Sequence, residues 1–339
     1  MIRPERLLRE TREGLFCEPG GFFIDPMRPA DRAVITHGHA DHARAGHARV
    51  AATPQTLAIM AARYGDDFCG ARAPLAYGER TRIGEVEVSL HPAGHVLGSA
   101  QVLLEWKGLR IVVSGDYKRR RDPTCARFEV VPAHVFVSEA TFALPVFRHP
   151  EDGQEIAKLL ASVARFPERT HLVGAYALGK AQRVICLLRE AGYHEPIHIH
   201  GALKPLCALY EEHGVDLGEL RDATLNDADG KTADFAGRIV IGPPSSFQTS
   251  WARRFPDPVI AFASGWMRVR ARARQRGVEL PLILSDHADW DELTQTVRDV
   301  DPDELWITHG RDDALARWAQ LEGYKARPLS LAGYEEEGE

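Results

Sequence analysis

Cysteine is sparse in this chain of 339 residues: the five, Cys17, Cys69, Cys125, Cys186 and Cys207, are odd in number and nowhere spaced as C-x-x-C. That excludes a disulfide framework and fits reduced thiols buried as small hydrophobes. Long apolar runs are also missing. No stretch reaches the roughly 18 apolar residues of a membrane span, and the opening Met1-Ile2-Arg3-Pro4-Glu5-Arg6 has neither an apolar h-region nor an A-x-A site, so the expectation is a cytoplasmic protein. Nor is there a surplus of positive charge. The net charge of −6 excludes a protein that coats nucleic acid by bulk charge and leaves room only for a local basic groove. Internal repeats and low-complexity segments are absent. What is present, 44% hydrophobic and 27% charged residues, suffices for a large core and for two domains.

Histidine is concentrated in one place. Thr36-His37-Gly38-His39-Ala40-Asp41-His42 sets three imidazoles and a carboxylate directly after the apolar run Ala33-Val34-Ile35, which reads as a buried strand. His37 and His39, two apart at the end of an extended segment, project to one side and can share an ion. Asp41 and His42 follow where the chain is expected to enter a helix, and can serve a second ion nearby. The stretch reads as a loop for two adjacent metals rather than a solvated turn.

Around it the chain reads as strand-rich for its first third. Leu15-Phe16-Cys17 and Phe22-Phe23-Ile24 flank Pro19-Gly20-Gly21 as a hairpin that Asp25-Pro26 ends. Thr53-Pro54 caps a helix running to about Tyr64. Val86 to Leu90, Gln101 to Trp106, Arg110 to Val113 and Val135 to Val137 read as strands. From about Pro150 the texture changes. Helices over Glu155 to Arg165, Gly179 to Glu190 and Leu203 to His213 alternate with strands over Leu172 to Ala175, Ile197 to His200, Ile239 to Ile241 and Val259 to Phe262, the rhythm of a parallel sheet. Asp216 to Gly237 reads as loop-rich. A strand over Leu282 to Leu284, a helix from Trp290 to Val300, a strand over Leu305 to Ile307 and a helix from Asp313 to Glu322 close the chain before the acidic tail Glu335 to Glu339.

Ligand-type residues recur just past strand ends. His95 sits among glycines in Ala93-Gly94-His95-Val96-Leu97-Gly98, which permit a tight path into a crowded centre. Asp116 follows Val112-Val113-Ser114-Gly115, and its two oxygens can bridge two cations. His309 follows Leu305-Trp306-Ile307-Thr308. In this order these motifs resemble those of the metallo-β-lactamase superfamily. That resemblance implies a metallo-β-lactamase αββα sandwich, with His37, His39, His95 and Asp116 on one metal and Asp41, His42, Asp116 and His309 on the other. The donor types suit two divalent ions, Zn²⁺ foremost and Mn²⁺ next, so hydrolysis of an ester by a two-metal-activated hydroxide is implied.

The chain between Asp116 and His309 is long enough to hold an inserted domain, and here the sequence resembles the β-CASP nucleases of the same superfamily. The resemblance rests on Glu139 in Val137-Ser138-Glu139-Ala140-Thr141, on His287 in Ser285-Asp286-His287-Ala288-Asp289, and on Ala175-Tyr176-Ala177-Leu178-Gly179-Lys180-Ala181-Gln182. It implies an α/β fold with residues 1–148 as the first part of a metallo-β-lactamase domain, 149–277 as an inserted β-CASP α/β domain and 278–339 as the closing part. Carried over by position, Asp41, Asp116, Glu139 and His287 are catalytic, His287 protonating the departing 3′ oxygen with Glu139 hydrogen-bonded to it. A basic groove is expected from Lys118, Arg119, Lys180, Arg268 and Arg270. Arg268, Arg270, Arg272, Arg274 and Arg276 alternate and, if extended, face one side.

His91-Pro92-Ala93-Gly94-His95, Ser114-Gly115-Asp116-Tyr117-Lys118, Asp122-Pro123-Thr124-Cys125 and Ala263-Ser264-Gly265-Trp266-Met267-Arg268 carry the resemblance further, to the bacterial ligase-associated DNA exonucleases. A metal-dependent DNA exonuclease acting in DNA repair beside an ATP-dependent DNA ligase is the function this implies. An RNA-processing β-CASP ribonuclease is the alternative, since it shares the catalytic residues and differs in reading the 2′-hydroxyl. A small-ester or thioester hydrolase needs no insertion of this size, and a silent binding subunit needs no complete ligand set.

Overall fold

In the computed structural model, which describes residues 3–224, 234–310 and 312–329, the chain divides into two compact units. The first comprises Met1–Arg148 and His287–Glu339, the second His149–Asp286. The acidic tail and part of the stretch expected to be loop-rich lie outside the described residues.

The first unit holds two sheets. In one, Leu8–Thr11, Gly14–Cys17, Phe22–Ile24, Arg32–Val34, His47–Ala52 and Cys69–Pro74 lie side by side in chain order. The hairpin around Gly20-Gly21 pairs Cys17 with Phe22, and from Phe22–Ile24 onward the pairing is parallel. The other sheet runs Lys325–Pro328, Glu304–Gly310, Val135–Ala140, Leu109–Val113, Ala100–Trp106, Val86–Pro92 and Arg80–Ile83.

Side-chain alternation along these strands assigns the layers. Ile111, Val113, Val135, Val137 and Trp306 meet Val34 and Ala51 of the other sheet in a shared core. Their neighbours Val112, Phe136, Leu305 and Ile307 face the opposite way, onto Leu293 and Val297 of the helix Trp290–Val300 and Leu315 and Ala319 of the helix Asp312–Leu321. On the far side, Ala33, Ile35, Val50 and Ala52 pack with Leu57 and Met60 of the helix Pro54–Tyr64. Helix, sheet, sheet and helix therefore form four layers, because a period of two gives each strand two apolar faces to cover. Burying one such side chain contributes about 1.5–3 kcal/mol.

The second unit is a parallel sheet, ordered Leu220–Asp222, Ile197–Ile199, Ile239–Gly242, His171–Gly174, Val259–Ala263, Leu280–Leu282, with the helices Asp152–Arg165, Lys180–Glu190 and Lys204–Glu212 in its connections.

Three local expectations are corrected. The last strand of the second unit occupies Leu280–Leu282, ahead of the expected Leu282 to Leu284. The stretch after His37 makes one hydrogen-bonded turn, Ala43 N–H to the His39 carbonyl at 2.7 Å, and no helix follows. The alternating arginines are not extended either. A 3₁₀ turn over Gly265–Arg268 leads into the helix Arg270–Gln275, where residues two apart point in nearly opposite directions, so the five share no face.

Candidate metal centre

Every group of this centre that the structure describes belongs to the first unit, at the ends of its strands. Arg32–Val34 delivers Thr36 and His37, and Asp25 from the preceding hairpin holds the loop in place. Its Oδ1 accepts the Thr36 N–H at 2.8 Å and its Oδ2 the Thr36 hydroxyl at 2.6 Å. The same Oδ2 lies 2.8 Å from His42 Nδ1, so that Nδ1–H donates and Nε2 turns inward. The Thr36 hydroxyl also lies 3.0 Å from His37 Nδ1. Asp25 is buried, and the sequence marks it only as the end of a hairpin. A carboxylate just ahead of a strand that ends in histidines is the signal that would have flagged it.

His95 arrives from the loop after Val86–Pro92. Gly94 takes φ +74°, and a Cβ there would stand 2.2 Å from the Lys118 carbonyl, so glycine is required for the chain to pass. The Ser99 hydroxyl accepts the His95 N–H at 3.0 Å. Asp116 follows Leu109–Val113 through Gly115, whose absent Cβ would meet Thr36 at 2.7 Å.

These residues converge. His37, His39, His95 and Asp116 each offer a ligand atom, all within 4.8 Å of one another. Asp116 Oδ2 stands 3.3 Å from His37 Nε2, 3.4 Å from His42 Nε2 and 3.7 Å from His95 Nε2, and His39 Nδ1 is 3.0 Å from His95 Nε2. Asp41 Oδ2 approaches His42 Nε2 at 3.6 Å. His37 Nε2 and Asp41 Oδ1 are buried with no hydrogen-bond partner in the protein. Buried polar atoms are ordinarily satisfied, so inward-facing nitrogen and oxygen donors of this kind fit a cation.

The electrostatics follow from burial and crowding. Burial and the neighbouring His42 push His37 well below the usual imidazole range. Burial pulls His42 the same way, but Asp116, Asp41 and Asp25 outweigh it and raise His42 well above that range. For Asp116, burial alone would raise the carboxyl; His42 and His37 hold it well below the usual carboxylate range.

A second grouping shares Asp116: Asp116, Glu139 and His287 also lie within metal-binding distance of one another. Glu139 is buried. Its Oε1 accepts the Tyr117 N–H at 2.8 Å, and both oxygens face His287 Nδ1, at 3.2 and 3.1 Å. With Nδ1–H donating to Glu139, Nε2 is the nitrogen left for chemistry. The Ala288 N–H donates to the Tyr117 carbonyl at 2.6 Å, so the residue after Asp116 steadies both Glu139 and the chain bearing His287. The His287 and His95 rings are 4.6 Å apart, which puts the pair beside the histidine cluster.

His309 lies in the strand Glu304–Gly310, and its side chain falls outside the described residues. The strand bulges there: Ser138 pairs with Ile307 but Ala140 with Gly310. Gly310, at φ +80°, would carry a Cβ 2.3 Å from the Ala140 carbonyl.

Of the five residues expected in a basic groove, Lys118 and Arg119 belong to the first unit and Lys180, Arg268 and Arg270 to the second. Lys118 and Lys180 are buried, and Lys180 is held by the Leu284 carbonyl at 2.8 Å and Asp286 at 3.1 Å. Arg119 pairs with Asp299 at 2.5 Å and lies over Phe128. Arg268 and Arg270 are exposed.

No family model matches the chain. Curated relatives include a probable DNA ligase of Opitutus terrae, 29% identical over 321 residues, covering 92% of this chain and 30% of the ligase. Cleavage and polyadenylation specificity factor 73 of Drosophila melanogaster is 30% identical over 286 residues, 70% of this chain and 42% of the relative. An endoribonuclease of Neurospora crassa is 28% identical over 240 residues, 58% and 28% respectively. This chain thus spans less than half the length of each. Among solved structures, a protein of unknown function from Enterococcus faecalis shares the fold, with a TM-score of 0.58 at 14% identity, covering 89% of this chain and 80% of the other. Four layers of helix and sheet, an added parallel sheet, and histidines and carboxylates gathered at strand ends make the chain a member of the β-CASP/metallo-β-lactamase superfamily.

Proposed function

We propose that this protein is a metal-dependent nuclease, with residues 1–148 and the chain's closing segment as its metallo-β-lactamase domain and the intervening residues as its β-CASP insertion. The observation that carries the reading is Asp116, shared between the histidine cluster and the Glu139–His287 pair. A centre for binding alone has no use for a histidine oriented by a buried carboxylate beside it. His37, His39, His95, Asp116, Asp41, His42 and, by the resemblance, His309 would hold divalent ions, Zn²⁺ or Mn²⁺ by donor type, which would supply Lewis acidity and a nucleophile at neutral pH.

The chain's own residues do the rest. His287 gives a proton from Nε2 to the departing 3′ oxygen while Glu139 holds Nδ1 and stabilises the charged ring. Water attacks phosphorus in line from the opposite side, so products carry a 5′-phosphate and a 3′-hydroxyl. Arg268 and Arg270, both exposed, would track the phosphate backbone.

Two substrate readings follow from the relatives. The relatives named as endoribonucleases or as cleavage and polyadenylation factors favour RNA, and they are the more numerous. The alignment with the probable DNA ligase, which takes in nearly the whole chain, supports DNA and an association with an ATP-dependent ligase. Purified protein reconstituted with Zn²⁺ or Mn²⁺ and given end-labelled single-stranded DNA, duplex DNA and RNA of one sequence separates them. Cleavage of RNA alone selects the ribonuclease, stepwise mononucleotide release from DNA selects the exonuclease, and no cleavage of any polymer overturns the proposal.

A further inference from the structure

Among the described residues, the second unit buries four charged side chains that the reaction above does not use: Glu155, Lys180, Arg183 and Asp286. Lys180 is expected from the sequence in a basic groove, yet its ammonium is engaged inside the protein. All four act on one short piece of chain. Glu155 Oε2 accepts the Ile283 N–H at 2.9 Å. Lys180 Nζ donates to the Leu284 carbonyl, and Arg183 donates to the Ser285 carbonyl. Asp286 closes the set, with Oδ2 3.1 Å from Lys180 and Oδ1 3.1 Å from Arg183. The other arm of Arg183 pairs with Asp152, three residues past the point where the chain first enters this unit. Four successive residues, Ile283 to Asp286, are thus each held by a buried charged group, and His287 is next in the chain.

Burying four charges is costly unless each is paired, and an apolar cluster would hold a strand end as well. What charge-assisted hydrogen bonds add over apolar packing is direction: they fix carbonyls and a carboxylate in one orientation. We infer that Arg183, with Lys180 and Asp286, is a positioning residue for His287, setting from the preceding residues the orientation that Glu139 completes at Nδ1 and Ala288 anchors from the following side. This rests on His287 being the acid of the proposed reaction.

An acid matters only when the leaving group is poor. A 3′ alkoxide needs the proton; p-nitrophenolate leaves without it. Arg183→Lys, folded and carrying the wild-type complement of metal, is therefore expected to lower kcat on the polymer that the wild type cleaves by about 10- to 100-fold with KM unchanged. Hydrolysis of bis(p-nitrophenyl) phosphate should be unaltered. In a His287→Ala background the same substitution should add nothing. Asp286→Asn, which keeps the shape and removes the charge, repeats the test should Arg183→Lys fail to fold. Equal slowing of both substrates, no slowing of either, or an undiminished effect in the His287→Ala background would overturn the inference. A wild type that cleaves no polymer, or a His287→Ala variant as active as the wild type, would instead overturn the functional reading beneath it.

Discussion

The two units bury polar residues in opposite ways. In the second, Glu155, Lys180, Arg183 and Asp286 close on one another and on nearby backbone, carboxylate against ammonium and guanidinium. In the first, His37, His42 and His95 crowd around one carboxylate oxygen of Asp116 with His39 against His95, and His37 Nε2 and Asp41 Oδ1 make no hydrogen bond within the protein. A network of paired charges holds shape. A convergent set of donors with atoms left over is arranged for something the chain does not itself supply.

That contrast predicts how each unit breaks. Asp116→Ala removes the group shared by both clusters and should lower nucleic-acid cleavage at least a thousandfold, to background, in an end-label assay. His287→Ala leaves the histidine cluster intact and should cost about a hundredfold to ten-thousandfold in turnover while bound metal is retained. Asp25→Ala frees His42 Nδ1 without touching a donor atom; the expected outcome is a 10- to 100-fold weaker metal affinity in a chelator competition. Gly310→Ala forces a side chain into left-handed backbone against the Ala140 carbonyl and should destabilise the first unit by about 1–3 kcal/mol, read by thermal unfolding. The smallest effect belongs to the exposed arginines: Arg270→Ala should reduce the slope of log affinity against log salt by about one, measured by nucleic-acid binding at several salt concentrations.

Much of this was legible in the sequence where the cause is local. The helices Pro54–Tyr64 and Trp290–Val300 are legible because their starts carry chemical marks. Thr53 accepts the Thr56 N–H, and Asp289 with Glu292 forms a capping box. The histidine loop announced itself by residue type. Strands such as Arg80–Ile83 and Cys69–Pro74 went unread, since their charged and small residues at sheet edges lack an apolar alternation, and only long-range pairing makes them strands. Lys180 reads as a basic-groove residue for a similar reason. Its true partners lie more than a hundred residues downstream, where spacing along the chain carries no information.

Everything the chain does chemically depends on the metal centre, which native mass spectrometry of the purified protein after dialysis against Zn²⁺ or Mn²⁺ tests most directly. Two divalent ions per chain in the wild type and in His287→Ala, and none in Asp116→Ala, is the predicted result; a wild type that retains no ion, or an Asp116→Ala variant that keeps both, would contradict it.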